Sequence, residues 1–331
     1  MFSFTSIFKS RQAIFWIIIV LVVLLLIEFN IYRFYIIGKP GEVKELEMEQ
    51  FLKNKVSGTE CYNMVIMGDS RTYIGLSPFE ITMEVPGSAI NLGYDSGGLT
   101  EELFAWVNDK RLRQIGDHRV VIMGISPYSL TTEARQNLNF NKYRRMVANT
   151  PEMTDKYGLG KVFRQLLMPI NLFGISAVGM QSGKKSDSNG KEERIFYDNG
   201  WNEWRSELKA ERVKEAPLEY EYIFNATQVD NQSLREVYDW TRRWSDDGVL
   251  VVGVRMPLTP ELLKVENEKS GFDEAAFKQN FEAAGGKYFA FSPDGYLLFD
   301  GSHLEAESAR RFSGKLGKII AGLLSERNPK S

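Results

Sequence analysis

The sequence predicts an α/β fold in which helices cover both faces of a parallel five-stranded sheet. Five short, mainly apolar runs carry this prediction, at residues 64–67, 88–92, 119–123, 249–254 and 287–291. The first run, Met64–Met67, is apolar without interruption, which is typical of a central parallel strand buried on both faces. Amphipathic helical stretches such as residues 231–246 separate several runs, and this alternation indicates parallel pairing. We expect the strand order 2-1-3-4-5.

The remaining helices are predicted around these strands in chain order. Residues 42–56 are charged and indicate a connecting segment with a short helix. Residues 100–107 begin at Thr100, a residue type that caps helix amino termini. Residues 261–286 are predicted to be mainly helical, and residues 305–324 form the closing helix.

The stretch from about residue 131 to residue 229 does not fit this alternation, and we expect it to be an insertion in the domain. Residues 182–190 contain mostly Ser, Gly, Lys, Asp and Asn, and this composition predicts a mobile loop. The stretch that precedes this loop is predicted to form helices over the crevice, as a lid or a partner surface.

An apolar segment near the amino terminus predicts a membrane anchor. Residues 12–27 are uncharged and mostly aliphatic, and aromatic residues follow them. Because a membrane span needs about 20 residues, we assign the anchor to residues 13–35. Residues 1–12 would be a cytoplasmic tail, residues 36–58 a linker, and residues 59–331 an extracytoplasmic domain at the inner or plasma membrane. Basic residues lie on both sides of the span, but a long domain can translocate regardless of such charges. The alternative is a buried core helix.

The overall composition is that of a globular protein without a basic excess. The net charge is −2, and 43% of the residues are hydrophobic. We therefore expect no nucleic-acid partner. The chain has one cysteine, Cys61, and two histidines far apart in the sequence. This set excludes an intrachain disulfide and a cysteine-based zinc site, and we expect neither a metal nor a cofactor.

Ser70 is the candidate nucleophile, because it follows the first strand in the sequence Gly68-Asp69-Ser70. Ligands bind outside the carboxyl ends of the strands in open α/β sheets, so this serine would face the crevice. A serine needs a neighbouring base, usually an imidazole that a carboxylate orients. Asp300 precedes His303 by three residues, so one turn could present both groups to Ser70. The alternative is a tight turn at Gly68 with a helix cap at Asp300 or Ser302.

The motif Gly68-Asp69-Ser70 near the start of the domain, with Asp300-x-x-His303 near its end, resembles the SGNH (GDSL) hydrolase superfamily. The resemblance covers roughly residues 60–320. Members of this superfamily are esterases and acyltransferases with a flavodoxin-like three-layer α/β fold and a catalytic triad in this chain order. The resemblance implies that Ser70 is the nucleophile, that His303 is the base and that Asp300 orients His303.

The resemblance also implies donors for the oxyanion of an acyl-transfer intermediate. Besides the N–H of Ser70, the sequence Asn91-x-Gly93 matches the family's second block, in which a glycine N–H contributes. A strand-to-loop turn explains Gly93 equally well. The family's third block has Gly-x-Asn-Asp, whereas this chain has Ser126 and Pro127 after the third strand. We expect the shorter Ser126 hydroxyl to act in place of the asparagine amide.

Four further residues are predicted to contact substrate. Asp69 and Arg71 flank Ser70, Arg255 follows the fourth strand, and Trp201 lies in a polar stretch with a second tryptophan, Trp204. Tryptophans beside polar groups are suited to stacking on sugar rings, although a packed core pair is the commoner use of such residues. A salt bridge is the alternative for Arg255.

The resemblance together with the anchor predicts a membrane-anchored, extracytoplasmic serine esterase or O-acyltransferase. Its substrates would be acyl esters of a cell-envelope polysaccharide, and a membrane-bound O-acyltransferase would be its partner. Two alternatives remain open. A lipid-directed esterase would have an apolar acyl channel, whereas a catalytically degenerate scaffold would serve an acyltransferase without reacting.

Overall fold

The computed structural model describes residues 43–113, 118–137, 140–148 and 192–327. These residues belong to a compact unit that begins at Val43. The predicted tail, the anchor at residues 13–35 and the loop at residues 182–190 lie outside the described residues. Among the helices of the described ranges, none has the length and apolar character needed to cross a membrane.

The principal sheet has five parallel strands. In chain order, the strands of the described residues are β1 Glu45–Leu46, β2 Met64–Met67, β3 Ala89–Asn91, β4 Val120–Gly124, β5 Glu192–Tyr197, β6 Asn202–Ser206, β7 Leu250–Arg255 and β8 Lys287–Ala290. The order β3-β2-β4-β7-β8 is that of the predicted 2-1-3-4-5 arrangement, which the structure confirms. The strand order reverses between β2 and β4, where ligands bind in this class of sheet.

Helices connect these strands. In chain order they are α1 Met48–Ser57, α2 Ser70–Gly75, α3 Pro78–Glu84, α4 Glu101–Trp106, α5 Thr132–Asn137, α6 Phe140–Ala148, α7 Ala210–Ala226, α8 Asn231–Asp246, α9 Pro260–Lys269, α10 Glu274–Ala283 and α11 Ala306–Arg327. A π-helical turn, Val107–Arg111, extends α4. The helical stretch predicted at residues 261–286 is two helices, because the chain turns at Gly271 with a φ of +72°.

The side chains of the central strands alternate between two apolar cores. Val65 and Met67 of β2 pack in one core with aromatic residues of α4, α8 and α10. Met64 and Ile66 pack on the opposite face, against α3 and α11. Successive strand residues point to opposite faces of a sheet, so an uninterrupted apolar run serves both cores. The result is an α/β/α three-layer architecture, consistent with a flavodoxin-like fold.

A second, antiparallel sheet has the order β1-β5-β6. The hairpin of β5 and β6 lies inside the stretch where no regular alternation was predicted, so that expectation was incomplete. Its turn contains Asn199 and Gly200, and Gly200 has a φ of +81°. An Asn-Gly pair between two short runs is a strong hairpin signal. The turn lies against the end of β3, where the N–H of Asn91 donates to the carbonyl oxygen of Asn199 at 2.8 Å.

Candidate active site

Ser70 is placed at the carboxyl end of β2 by a tight turn. Gly68 has a φ of +153°, and a Cβ at this position would lie 2.3 Å from Oγ1 of Thr72. Only glycine fits this turn. Asp69 then caps α2, because its carboxylate accepts a hydrogen bond from the N–H of Arg71 at 3.1 Å. Ser70 is therefore the first residue of α2, at the edge of the sheet where the crevice is expected.

His303 and Asp300 lie in the turn that precedes α11, and the fold brings this turn to Ser70. Nε2 of His303 is 2.9 Å from Oγ of Ser70, and Nδ1 of His303 is 2.7 Å from Oδ2 of Asp300. The second oxygen of Asp300 accepts hydrogen bonds from the N–H groups of Ser302 and His303, each at 2.9 Å. The contact expected between residues 233 positions apart in the sequence is present.

This geometry assigns the two ring nitrogens of neutral His303 to different tasks. A carboxylate can only accept hydrogen bonds, so Nδ1 donates to Asp300. The lone pair of Nε2 is then directed at Ser70, whose hydroxyl donates to it. The Ser302 hydroxyl, 2.9 Å from Nδ1 and 3.2 Å from Oδ1 of Asp300, also fixes the turn. A hydroxyl, an imidazole and a carboxylate in this order are the components of nucleophilic acyl transfer.

Asp300 is held in its ionised form. Burial raises its pKa, but the charge of His303 and the hydrogen bonds from His303 and Ser302 lower it more, so the pKa lies well below the usual range. A lowered pKa in the folded state means that Asp300 stabilises the fold above the unfolded-state pKa of about 3.9. This stabilisation is lost as the pH falls through the folded-state value.

We therefore expect Asp300→Asn to destabilise the full chain by about 1–3 kcal/mol at pH 7, since charge-assisted hydrogen bonds are lost. The difference between the two proteins should shrink as the pH falls below about 4, because the carboxyl group then becomes protonated in the unfolded wild-type chain while it is still ionised in the folded one. Urea denaturation at several pH values measures it. A difference that stays constant down to pH 2 would contradict this role of the charge.

The three predicted oxyanion donors differ in their availability. The N–H of Ser70 is the first of α2, so it has no acceptor within the helix. The N–H of Gly93 instead donates to Oδ1 of Asn91 at 2.9 Å. The Ser126 hydroxyl donates to Oδ2 of Asp69 at 2.5 Å. The expectation that Gly93 and Ser126 face an oxyanion is therefore not met in this structure, because both donors are used inside the protein.

The four residues predicted to contact substrate are also engaged internally. Asp69 is buried, where it caps α2 and accepts the Ser126 hydroxyl. Trp201 is only 2% exposed, and its Nε1 donates to the carbonyl oxygen of Ile74 at 2.8 Å. Its role in the core is the alternative considered for this residue. Because both side chains are buried, the prediction that Asp69 and Trp201 contact substrate directly is corrected.

The prediction that Arg71 and Arg255 contact substrate is corrected for the same reason. Both guanidinium groups are buried and pair with Glu266. Arg71 is 2.7 Å from one oxygen of Glu266, and Arg255 is 3.2 Å from the other. Arg255 also pairs with Glu274. A charge placed inside a protein is stable only when it is paired and hydrogen-bonded, and here the pairs link α2, β7 and α9.

Removing Glu266 should therefore be strongly destabilising. We expect Glu266→Ala to lower the free energy of unfolding by about 3–5 kcal/mol, because two buried arginines lose a shared carboxylate. Glu268→Ala is the matched control on the same helix, since the Glu268 side chain is 55% exposed. The control should change stability by no more than about 0.5 kcal/mol. Denaturant unfolding measures both variants, and equal effects would contradict the role of the buried network.

The surroundings of His303 include Trp204, which the sequence analysis considered together with Trp201 for sugar stacking, and two residues that it did not single out, Arg194 and Asp95. The ring of Trp204 lies 6.4 Å from that of His303 between centroids, and Arg194 covers Trp204. Asp95 follows β3, and the charge of His303 acts on its pKa. Burial raises this pKa, and the charges of His303 and Arg194 only partly offset that effect. The Asn-Gly turn was a sequence signal for the hairpin that carries Arg194 and Trp204.

Lys55 of α1 fixes the loop that contains Gly93. Its buried Nζ donates to the carbonyl oxygen of Gly93 and, at 3.2 Å, to that of Gly200. Burial lowers the pKa of this lysine well below its ordinary value. Lys55 thus joins α1, the crevice loop and the hairpin turn.

Ser96, next to Asp95, has a φ of +52°, so a residue other than glycine adopts a left-handed backbone conformation here. Such a conformation costs about 1–3 kcal/mol and is found preferentially at functional sites.

The described residues contain no group of three or more His, Cys, Asp or Glu side chains that could hold a metal ion.

Comparison with known proteins adds little to the geometry. No family model matches the chain, and no solved structure matches it significantly. A DNA ligase of Methanocaldococcus jannaschii is 26% identical over 115 residues, which are 32% of this chain and 19% of the ligase. The chain thus spans about a fifth of the length of this curated relative. A partial likeness at this identity does not show a family.

Proposed function

We propose that this chain is a membrane-anchored serine esterase or O-acyltransferase of the SGNH type. It would act outside the cytoplasm on acyl esters of a cell-envelope polysaccharide, with a membrane-bound O-acyltransferase as its partner. One observation carries the chemical part of the proposal, namely the contact of Ser70 with His303 and of His303 with Asp300, at 2.9 and 2.7 Å. The anchor, the polymer and the partner rest on the sequence and on the resemblance.

The reaction that follows from this geometry has two halves. Oγ of Ser70 attacks the ester carbonyl carbon, and its proton passes to Nε2 of His303. The tetrahedral intermediate collapses, and the alcohol leaves with the proton from His303, so that an acyl group remains on Ser70. Water or an acceptor hydroxyl then attacks this acyl-enzyme while His303 takes its proton. Ser70 recovers the proton when the acid or the new ester is released.

Asp300 supports both halves by holding His303 in one tautomer and by stabilising the imidazolium that forms after each proton transfer. The oxyanion of the intermediate would bind the N–H of Ser70. Gly93 could contribute only if its N–H left Asn91. The active form would therefore differ slightly at the loop that contains Gly93, or it would use one backbone donor and a weaker oxyanion site.

The test is ester turnover by the full chain in detergent. We expect release of 4-nitrophenolate from 4-nitrophenyl acetate above the rate in buffer. An oligosaccharide is then added as acceptor. If mass spectrometry shows that it becomes acetylated, the chain is a transferase. If it stays unmodified while 4-nitrophenolate is released at the same rate as without it, the chain is an esterase. Folded protein that releases no 4-nitrophenolate with or without acceptor would contradict the proposal.

A second candidate function is a non-catalytic scaffold for an acyltransferase. It is favoured by the internal hydrogen bonds of Gly93 and Ser126, which leave one of three predicted oxyanion donors available. The two candidate functions predict different effects of Ser70→Ala on acylation of the polymer in cells. If the chain is a scaffold, Ser70→Ala should preserve acylation of the polymer while deletion of the gene abolishes it.

A further inference from the structure

Arg194 occupies an unusual position beside His303. Its guanidinium carbon lies 3.3 Å from the centroid of the Trp204 ring, and the two residues are directly opposed in the pairing of β5 with β6. Trp204 in turn is fixed from other sides. Its Nε1 donates to Glu192 at 2.7 Å, and its ring lies 4.7 Å from that of Phe299 between centroids. The Trp204 ring under Arg194, called the platform below, is therefore held in place by contacts with Glu192 and Phe299.

The platform lies against the triad. The ring centroids of Trp204 and His303 are 6.4 Å apart, and Phe299 stacks on His303 at 5.9 Å. Arg194 covers one face of Trp204, so a sugar ring cannot stack on that face. Two cations lie over these rings, the Arg194 guanidinium and the Lys209 ammonium, and Lys209 is already paired with Glu192 at 3.2 Å.

The hydrogen-bonding capacity of this guanidinium is unused within the part of the chain that the structure describes. None of its nitrogen atoms lies within hydrogen-bonding distance of an acceptor there, and none is within 4.0 Å of a carboxylate. Arg194 is half-buried, and its charge acts on the pKa of Asp95, as does that of His303. Arg194 and His303 are therefore both near enough to Asp95 for their charges to act on it. Arginine has a planar fork of N–H groups that matches carboxylate and phosphate oxygens.

We propose that Arg194, held on the ring of Trp204 beside His303, binds an anionic oxygen group of the substrate, either a carboxylate or a phosphate. The inference rests on the proposed ester chemistry at Ser70 and narrows its substrate class. The acyl ester would enter the triad while an anionic substituent of the same molecule contacts the guanidinium. A neutral polymer would leave Arg194 without a partner.

A purely structural role for Arg194 makes a different prediction. Stacking of a guanidinium on an indole ring stabilises a hairpin, and its loss would lower the melting temperature of the chain. It would not change the preference between two substrates that differ only in charge. The ratio of kcat/KM values for such substrates therefore separates recognition from packing.

The experiment compares three acetyl esters of phenols in the full chain. 4-Acetoxybenzoate carries a carboxylate, 4-acetoxyphenyl phosphate carries a phosphate, and methyl 4-acetoxybenzoate is neutral. After correction for alkaline hydrolysis rates, we expect the wild-type chain to prefer at least one anionic ester by about 10- to 100-fold in kcat/KM. The preferred ester identifies the anion. Arg194→Gln should reduce the preference to about one, and Arg194→Lys should give an intermediate value, since lysine keeps the charge without the fork.

Arg205→Gln is the matched control. It removes the same charge from β6, at a side chain that is 50% exposed and pairs with Glu193 and Glu203. The control should retain the wild-type preference. An Arg194→Gln preference equal to that of the wild type, or a wild-type chain without any preference for an anionic ester, overturns the proposal.

A binding measurement distinguishes failure of this inference from failure of the proposed chemistry. Benzoate and phenyl phosphate are titrated while tryptophan fluorescence is followed, since Trp204 lies under the guanidinium. If the wild-type chain cleaves none of the three esters but binds an anion that Arg194→Gln does not bind, the anion site stands and the ester chemistry fails. If turnover of the neutral ester depends on Ser70 and neither anion binds, the ester chemistry stands and the anion site is wrong.

Discussion

Replacement of Ser70 by alanine is expected to lower kcat/KM for an ester by about 10⁴- to 10⁶-fold. The variant loses the oxygen that forms the bond to the acyl carbon and no other non-hydrogen atom. Because Ser70 is the first residue of a capped helix, we expect the fold to be retained. Turnover of 4-nitrophenyl acetate by the full chain measures the effect.

Ser325→Ala is the matched control for this prediction. Ser325 is exposed near the end of α11, and its hydroxyl donates to a carbonyl oxygen of its own helix. This variant should keep wild-type turnover. If Ser70→Ala retained more than about a tenth of the wild-type rate, another group would be the nucleophile, and the proposed mechanism would be wrong.

The second large effect is expected for His303→Ala. Without the imidazole, the Ser70 hydroxyl has no base 2.9 Å away, and the leaving alcohol has no acid. We expect kcat to fall by about 10⁴- to 10⁶-fold, while KM changes much less. Groups that act as one unit are not additive, so the double variant Ser70→Ala, His303→Ala should be no slower than either single variant.

His118→Ala is the natural control, because the described residues contain these two histidines. His118 precedes β4 at the opposite ends of the strands from Ser70, where Nε2 lies 3.1 Å from the Asn63 side chain. Its removal should leave turnover unchanged. Equal losses in the two histidine variants would indicate that unfolding, rather than a missing base, causes the effect.

The sheet could be predicted from the sequence because its central strands are buried on both faces. Met64–Met67 has an uninterrupted apolar pattern that few other elements require. The contact between Ser70 and His303 was predictable for another reason, because both residues follow strands whose carboxyl ends share one edge of the sheet. A residue type that is rare in this chain, histidine, narrowed the choice of base further.

The predicted substrate contacts depended on which way each side chain points, and the sequence pattern does not contain that information. Trp201 and Trp204 are both on or beside β6, yet one packs in the core and the other lies beside His303. Arg255 lies at the carboxyl end of β7, close to where it was predicted. Its side chain is buried, however, because it pairs with Glu266 and Glu274 of two neighbouring helices. Such partners are distant in the sequence, so local spacing could not reveal them.

The oxyanion site was predicted by resemblance and is the part that the structure changes most. Gly93 and Ser126 occupy the expected loops, after β3 and β4, but their donors point to Asn91 and Asp69. A backbone N–H donates to whichever acceptor the folded loop provides, and for Gly93 this acceptor is a side-chain oxygen two residues away. Position along the chain was thus predictable, whereas direction of the hydrogen bond was not.

The most direct test of the central claim is to identify the residue that reacts with an alkyl fluorophosphonate. Oγ of Ser70 should displace fluoride from phosphorus, with its proton passing to His303. Peptide mass mapping of the treated full chain should find one phosphonyl adduct, on Ser70, and His303→Ala should react far more slowly. A folded wild-type chain that stays unlabelled, or that carries the adduct on another residue, would contradict the claim that Ser70 is a nucleophile activated by His303.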